Sequence, residues 1–260
     1  MTSLPSRYVA LGDSFTEGVG DADERFPNGL RGWADRVAEQ LAVNNPDFRY
    51  ANLAIRGRLL GPIIDEQLEP ALALKPDLVT IYAGGNDMMR PKLDIDAMVA
   101  RYDSAIGQLT ASGARVLMFT AYDTGWSAFF GKLRGRLAIY NELVREVADR
   151  HDATLVDFWR FSEYQDLRMW DWDRLHMSPS GHENMATRVL DVLGVEHGLT
   201  PPDLGPAPVL TKAETRREDR QWAREFLVPW VARRVKGTSS GDGVSAKQPQ
   251  LSPIQSCFLR

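Results

Sequence analysis

The chain has 260 residues, 43% of them hydrophobic and 25% charged, which suffices for one domain with a large core. Its formal charge of −4 lacks the basic surplus of a nucleic-acid binder, and a single cysteine, Cys257, cannot build a disulfide framework or a thiolate zinc site. No secretory leader is visible before the first apolar segment, and no apolar run approaches the roughly 20 residues of a membrane span; a cytoplasmic protein without stable membrane insertion is expected.

Taken in chain order, strand and helix signals alternate. RYVAL (Arg7–Leu11) is a short buried strand that runs straight into Gly-Asp-Ser. RGWADRVAEQLAV places Trp33, Val37 and Leu41 on one helical face. FRYANLAI predicts a second strand ending at Gly57, and LLGPIIDEQLEPALAL a helix interrupted at Gly61, Pro62 and Pro70. PDLVTIYAGGND carries the clearest strand, 78–83, stopped by Gly84-Gly85. A helix over 95–112 closes at Gly113, ARVLMFT is a fourth strand, and LRGRLAIYNELVREVADRH is a long helix. ATLVDFW is the fifth strand, and SPSGHENMATRVLDVLG a helix closed by Gly194.

Five strands alternating with helices imply a parallel sheet covered on both faces, an α/β doubly wound open sheet rather than an eight-stranded barrel. This α/β unit should span 1–198. A proline-rich connector and an amphipathic helix follow over 199–236, and composition assigns 237–260 to a disordered tail. The helix, 211–236, carries Trp222, Phe226 and Trp230 on one stripe and eight Lys/Arg against four Asp/Glu, and Pro229 should kink or break it. Three roles suit it: packing back onto the domain, homo-oligomer formation through the stripe, or a transient membrane-surface contact.

Chemistry is expected at strand ends, where α/β proteins place their sites. Ser14 ends the first strand, but a serine hydroxyl needs a general base, and the base an orienting carboxylate. Of four histidines, His151 and His197 sit at helix ends and His182 in a first helical turn. His176 alone lies in a loop, in WDWDRLHMSPSGH, three residues after Asp173, a spacing at which one turn brings a carboxylate to Nδ1. Asp171 is the rival carboxylate. Gly57 and Asn86, past the second and third strands, can supply a backbone N–H and a side-chain amide to an oxyanion, with the Ser14 N–H as third donor. Each alone is an ordinary turn residue, and Asp13 reads as a turn-shaping side chain. A metal held by Asp171, Asp173 and His176 lacks further ligands nearby, and neither dinucleotide nor P-loop glycine motifs occur.

These residues fall in blocks that closely resemble the SGNH hydrolases of the GDSL family. GDSFTEG resembles the block carrying the nucleophile (Ser14), NLAIRG the second (Gly57), GGND the third (Asn86), and DRLHMSPSGH the fifth (Asp173 and His176). The resemblance covers residue 8 to about 193. It implies a three-layer flavodoxin-like fold and cofactor-free hydrolysis of small-molecule esters or thioesters through an acyl-enzyme, with acyl transfer to an alcohol or sugar as the alternative. A non-catalytic binder would have no use for the complete set. The aromatic stretches YDTGWSAFFGKLRG and FWRFSEYQDLRMWDW, holding Tyr122, Trp126, Phe129, Phe130, Trp159, Phe161, Trp170 and Trp172, are expected near the substrate.

Overall fold

A computed structural model describes residues 4–43, 45–235 and 237–254, without the side chains of Arg234 and Val235. Cys257 and the end of the predicted tail, 255–260, lie outside the described residues. The expected strands form at β1 (Arg7–Leu11), β2 (Arg49–Asn52), β3 (Leu78–Ile81), β4 (Arg115–Phe119) and β5 (Thr154–Val156), mutually parallel, in the order β5-β4-β3-β1-β2. Chain direction across the sheet reverses on either side of β1, which opens a crevice at the carboxyl ends of β1 and β3.

Helices cover both faces, making three layers. Along β1, Val9 and Leu11 join one core, and Tyr8 and Ala10 the other, the period-2 alternation of a strand buried on both sides. The first core is closed by α3 (Leu60–Ile63), α6 (Ile95–Ala111) and α7 (Arg134–Arg150), the second by α2 (Trp33–Ala42) and α8 (Pro179–Leu193). Short helices α1 (Ser14–Glu17), α4 (Glu69–Ala73) and α5 (Gly85–Met88) complete the unit. Beyond it, α9 (Lys212–Trp222) and α10 (Val228–Val235) form the expected helical extension.

Proline does not break this extension. A π-helical turn, Ala223–Leu227, joins α9 to α10 two residues before Pro229, and another, Ile64–Leu68, joins α3 to α4 two residues before Pro70. Proline removes one N–H and its ring crowds the carbonyl four residues back; widening the preceding turn by one residue relieves both. The Trp222 and Phe226 stripe packs on the chain's own domain, with Trp222 against Phe129 and Phe226 against Trp172, ring centroids 6.2 and 5.9 Å apart.

The tail needs correcting. Gln248–Ser252, inside the segment read as disordered, is β6, a sixth strand antiparallel to β2 at the sheet edge. Proline at 249 suits an edge strand, which has an outward side with no ladder partner. Lys247 anchors the strand: its buried ammonium donates to Glu17 O (2.8 Å), Leu30 O (3.0 Å) and Asp35 Oδ2 (2.5 Å). Composition cannot reveal this order because its stabilisation comes from groups more than 200 positions away. Among the described residues no helix is long and apolar enough to cross a membrane.

Lys247→Met should leave the buried Asp35 carboxylate without its counter-charge. The expected cost is about 3–5 kcal/mol, read as a lower urea midpoint at unchanged slope; adding Asp35→Asn should return part of it.

Candidate active site

Ser14 opens α1 immediately after β1, at a turn held from both sides. Gly12 has φ of +145°, and a Cβ there would stand 2.6 Å from Tyr82 O. The buried Gln67 amide brackets the same residue, accepting from Gly12 N (2.8 Å) and donating to Gly12 O (2.9 Å). Asp13 caps α1, its Oδ1 accepting from Phe15 N (3.1 Å). The Ser14 hydroxyl and backbone N–H make no hydrogen bond among the described residues.

Asp173 and His176 meet as their spacing suggests. His176 Nδ1 lies 2.6 Å from Asp173 Oδ2, while Asp173 Oδ1 accepts from the backbone N–H of Leu175 and of His176, both at 2.9 Å. Burial raises the Asp173 carboxyl, but the His176 ring and these two N–H groups outweigh it and hold it below the usual carboxylate range. Asp171 does not compete: its backbone N–H donates to His176 O (2.8 Å), closing the loop, and its carboxyl is raised by burial and then by the Asp173 charge. Among the described residues no group of three or more His, Cys, Asp or Glu converges as a metal site.

Gly57 and Asn86 arrive through polar ties to α1. Glu17, fully buried, accepts from Arg56 N (2.7 Å) and pairs with the Arg56 guanidinium (2.6 Å), fixing the loop that carries Gly57. Gly57 has φ of +75°, and a Cβ there would lie 2.2 Å from Ser239 Oγ of the C-terminal segment; its N–H makes no hydrogen bond among the described residues. The Asn86 amide donates to Asp13 Oδ2 (2.9 Å) and Arg58 O (3.1 Å), so both of its hydrogens are engaged. Ser14, Gly57, Asn86 and His176 all line one chamber of about 370 Å³. From its floor, at Ser14, Asn86 and His176, a narrower apolar cavity of about 80 Å³ runs inward between Tyr82, Met88, Phe130, Leu137 and Phe158.

Residues 10–183 match the GDSL-like lipase/acylhydrolase family. The chain belongs to that family. This acylhydrolase is a carboxylic ester hydrolase with an SGNH hydrolase fold. A search of the curated proteins found no significant match. Among solved structures it is similar to the acetylxylan esterase Axe2 from Geobacillus stearothermophilus, with 22% identity and a TM-score of 0.61 over 74% of this chain and 95% of that one. It is also similar to the acetyl xylan esterase AlAXEase (20%, TM-score 0.60, 72% and 99% covered) and to TesA (23%, TM-score 0.60, 72% and 97% covered).

The extension of the acylhydrolase lies across the loop that carries Asp173 and His176. Trp222 Nε1 donates to Asp173 O (2.8 Å), and Arg174, at the loop tip with φ of +57°, pairs with Asp219 (2.6 Å) and stacks over Trp222 (5.2 Å). Of the expected aromatics, Tyr122, Phe130 and Trp170 line the inner cavity and Trp172 the outer chamber. Trp126 instead stacks on Trp170, Phe129 packs on Trp222, Trp159 lies under Arg134, and Phe161 under Arg188. Sequence reasoning missed Glu17, Gln67 and His182. His182 Nδ1 accepts from Trp33 N (3.2 Å), so Nε2 carries the hydrogen and donates to Val19 O (3.1 Å). Burial pushes this imidazole down to about 3, so it is a neutral bracket. No periodicity signals such ties; a polar residue in an otherwise apolar segment is the only hint.

Burial pushes the Asp13 carboxyl up to about 7, against the opposing pull of the Phe15 N–H. The fold therefore favours protonated Asp13. Its contribution to stability is complete below its unfolded value of about 4 and is lost as pH rises through the folded value of about 7. The stability of wild type relative to Asp13→Asn should fall across that window and level off above it, as denaturant titrations at a series of pH values would record.

Proposed function

We propose that the enzyme hydrolyses esters of short- to medium-chain acyl groups through an acyl-enzyme on Ser14. The observation that carries this reading is the shared chamber floor: Ser14 and His176 line it together, and Asp173 engages the far nitrogen of the His176 ring. His176 Nε2 takes the Ser14 proton as Oγ bonds to the carbonyl carbon, and Asp173 steadies the imidazolium. Negative charge on the carbonyl oxygen is met by the free N–H groups of Ser14 and Gly57 and by the Asn86 amide, which exchanges one of its resting acceptors for the oxyanion. The carbon–oxygen bond to the alcohol breaks as His176 returns the proton to it; water, deprotonated by His176, then releases the acid and restores Ser14.

The acyl group fits the inner cavity. A water-sized site takes about 10–15 Å³ on this measure, so 80 Å³ admits on the order of five to eight atoms. The outer chamber is left for the alcohol, a thiol, or a sugar, as in the acetylated xylan named for two of the similar structures. Acyl transfer to a second alcohol is supported by one feature, the wall that the π turn, α10 and residues 237–240 add to this chamber, which narrows the access of water.

A fluorophosphonate should add one phosphonyl group to the wild type and none to Ser14→Ala, as read by intact mass. Initial rates on p-nitrophenyl esters should peak between acetyl and hexanoyl and fall sharply by palmitoyl; no turnover across the series by a protein that binds the probe would favour transfer. Asn86→Ala should fold and lose about 10²–10³ in kcat; wild-type turnover would remove Asn86 from the oxyanion site.

A further inference from the structure

The outer chamber differs from the inner cavity in charge as well as in size. No Lys or Arg lines the inner cavity, whereas Arg56, Arg90 and Arg233 line the outer one, with Asp173 and Glu225 as its acidic residues. Most of these charges are already paired. Arg56 is held by Glu17, Asp173 by His176, and Glu225 by Arg224 and Gln221. The guanidinium groups of Arg90 and Arg233 are exposed and make no ion pair or hydrogen bond among the described residues. They come from two distant elements, the turn after α5 and the last helix α10, so no local sequence constraint places both at one chamber. Two like charges facing one cleft repel each other, and an anion between them removes the repulsion.

We infer that the outer chamber recognises an anionic group, a phosphate or carboxylate, on the alcohol side of the ester, with Arg90 and Arg233 as its specificity-determining residues. The inference rests on the esterase reading above and names the substrate class for it. A guanidinium presents its donors as a planar fork that matches both anions. Trp172 and Trp230 in the same wall offer flat apolar surface to the rest of the alcohol. Arg233 and Trp230 lie beyond residue 183, where the family match ends, whereas Arg90 lies within it, so this preference needs the C-terminal extension as well as the matched domain. The position also suits the chemistry, because His176 lines the chamber and delivers the proton to the departing alcohol there.

The test uses the full-length enzyme and one acyl group on two alcohols, the butyryl esters of glycerol and of glycerol 3-phosphate. The ratio of kcat/KM, phosphorylated over neutral, should be about tenfold or more in wild type and collapse towards one in Arg90→Gln/Arg233→Gln. In wild type the ratio should also fall as ionic strength rises from about 0.05 M to about 0.5 M, where the screening length shrinks to roughly 4 Å. A wild-type ratio near one overturns the inference while turnover of the neutral ester leaves the esterase reading standing. A high ratio that survives the double substitution, or that ignores salt, also overturns it. Failure to hydrolyse either ester, with active enzyme verified by the fluorophosphonate, counts against the esterase reading and this inference together.

Discussion

Chain leaving β1 at Gly12 is pressed against the Tyr82 carbonyl, closer than any side chain would allow, and the Gln67 amide grips the same residue from both sides. This constraint decides where Ser14 stands. The carboxyl ends of β1 and β3 are where the two halves of a doubly wound fold part, so a residue forced out there enters a crevice. Three further polar ties refer the neighbouring loops to that turn. Asp13 holds Asn86, Arg58 O holds the other hydrogen of the same amide, and Glu17 holds Arg56 beside Gly57. The site is thus a set of loops indexed to one short helix, α1.

The ties are costly if broken, which explains their burial. A carboxyl group as buried as Glu17 is tolerated inside a protein only with a partner and satisfied lone pairs, and Glu17 has Arg56 N, the Arg56 guanidinium and the Asn28 amide. His182 is buried as the neutral imidazole and spends both ring nitrogens on backbone groups. Asp13 is the exception, a carboxyl raised to about 7 beside Ser14, where burial outweighs its hydrogen bonds. Perturbed groups gather at sites of this kind because a cleft desolvates them without removing them from function.

The C-terminal extension ties into the same system from two directions. From above, Trp222 and Arg174 join α9 to the loop of Asp173 and His176. From the side, Lys247 caps Glu17 O, the last carbonyl of α1, and β6 zips onto β2. Ser239 lies over Gly57, where a Cβ would collide with it. The extension therefore adds wall to the outer chamber and lines none of the inner cavity.

The five parallel strands, their covering helices and the four blocks holding Ser14, Gly57, Asn86 and the Asp173–His176 pair were legible in the chain. Each rests on local information: apolar runs, glycine stops and a three-residue spacing that one turn can close. Distance along the chain concealed the rest. Nothing near Lys247 predicts Asp35 or Glu17 O, so a segment rich in Gly, Ser and Gln read as disorder when its order is supplied by β2. Pro229 read as a helix breaker because a π turn two residues earlier is not encoded in propensity. Sequence by itself determined the five parallel strands, the order of the blocks and the chemistry of their side chains, because these follow from periodicity and residue type. Tertiary structure alone decided which aromatics reach the cavity and that the tail builds a wall of the outer chamber, because those outcomes depend on contacts between segments that sequence separation keeps apart.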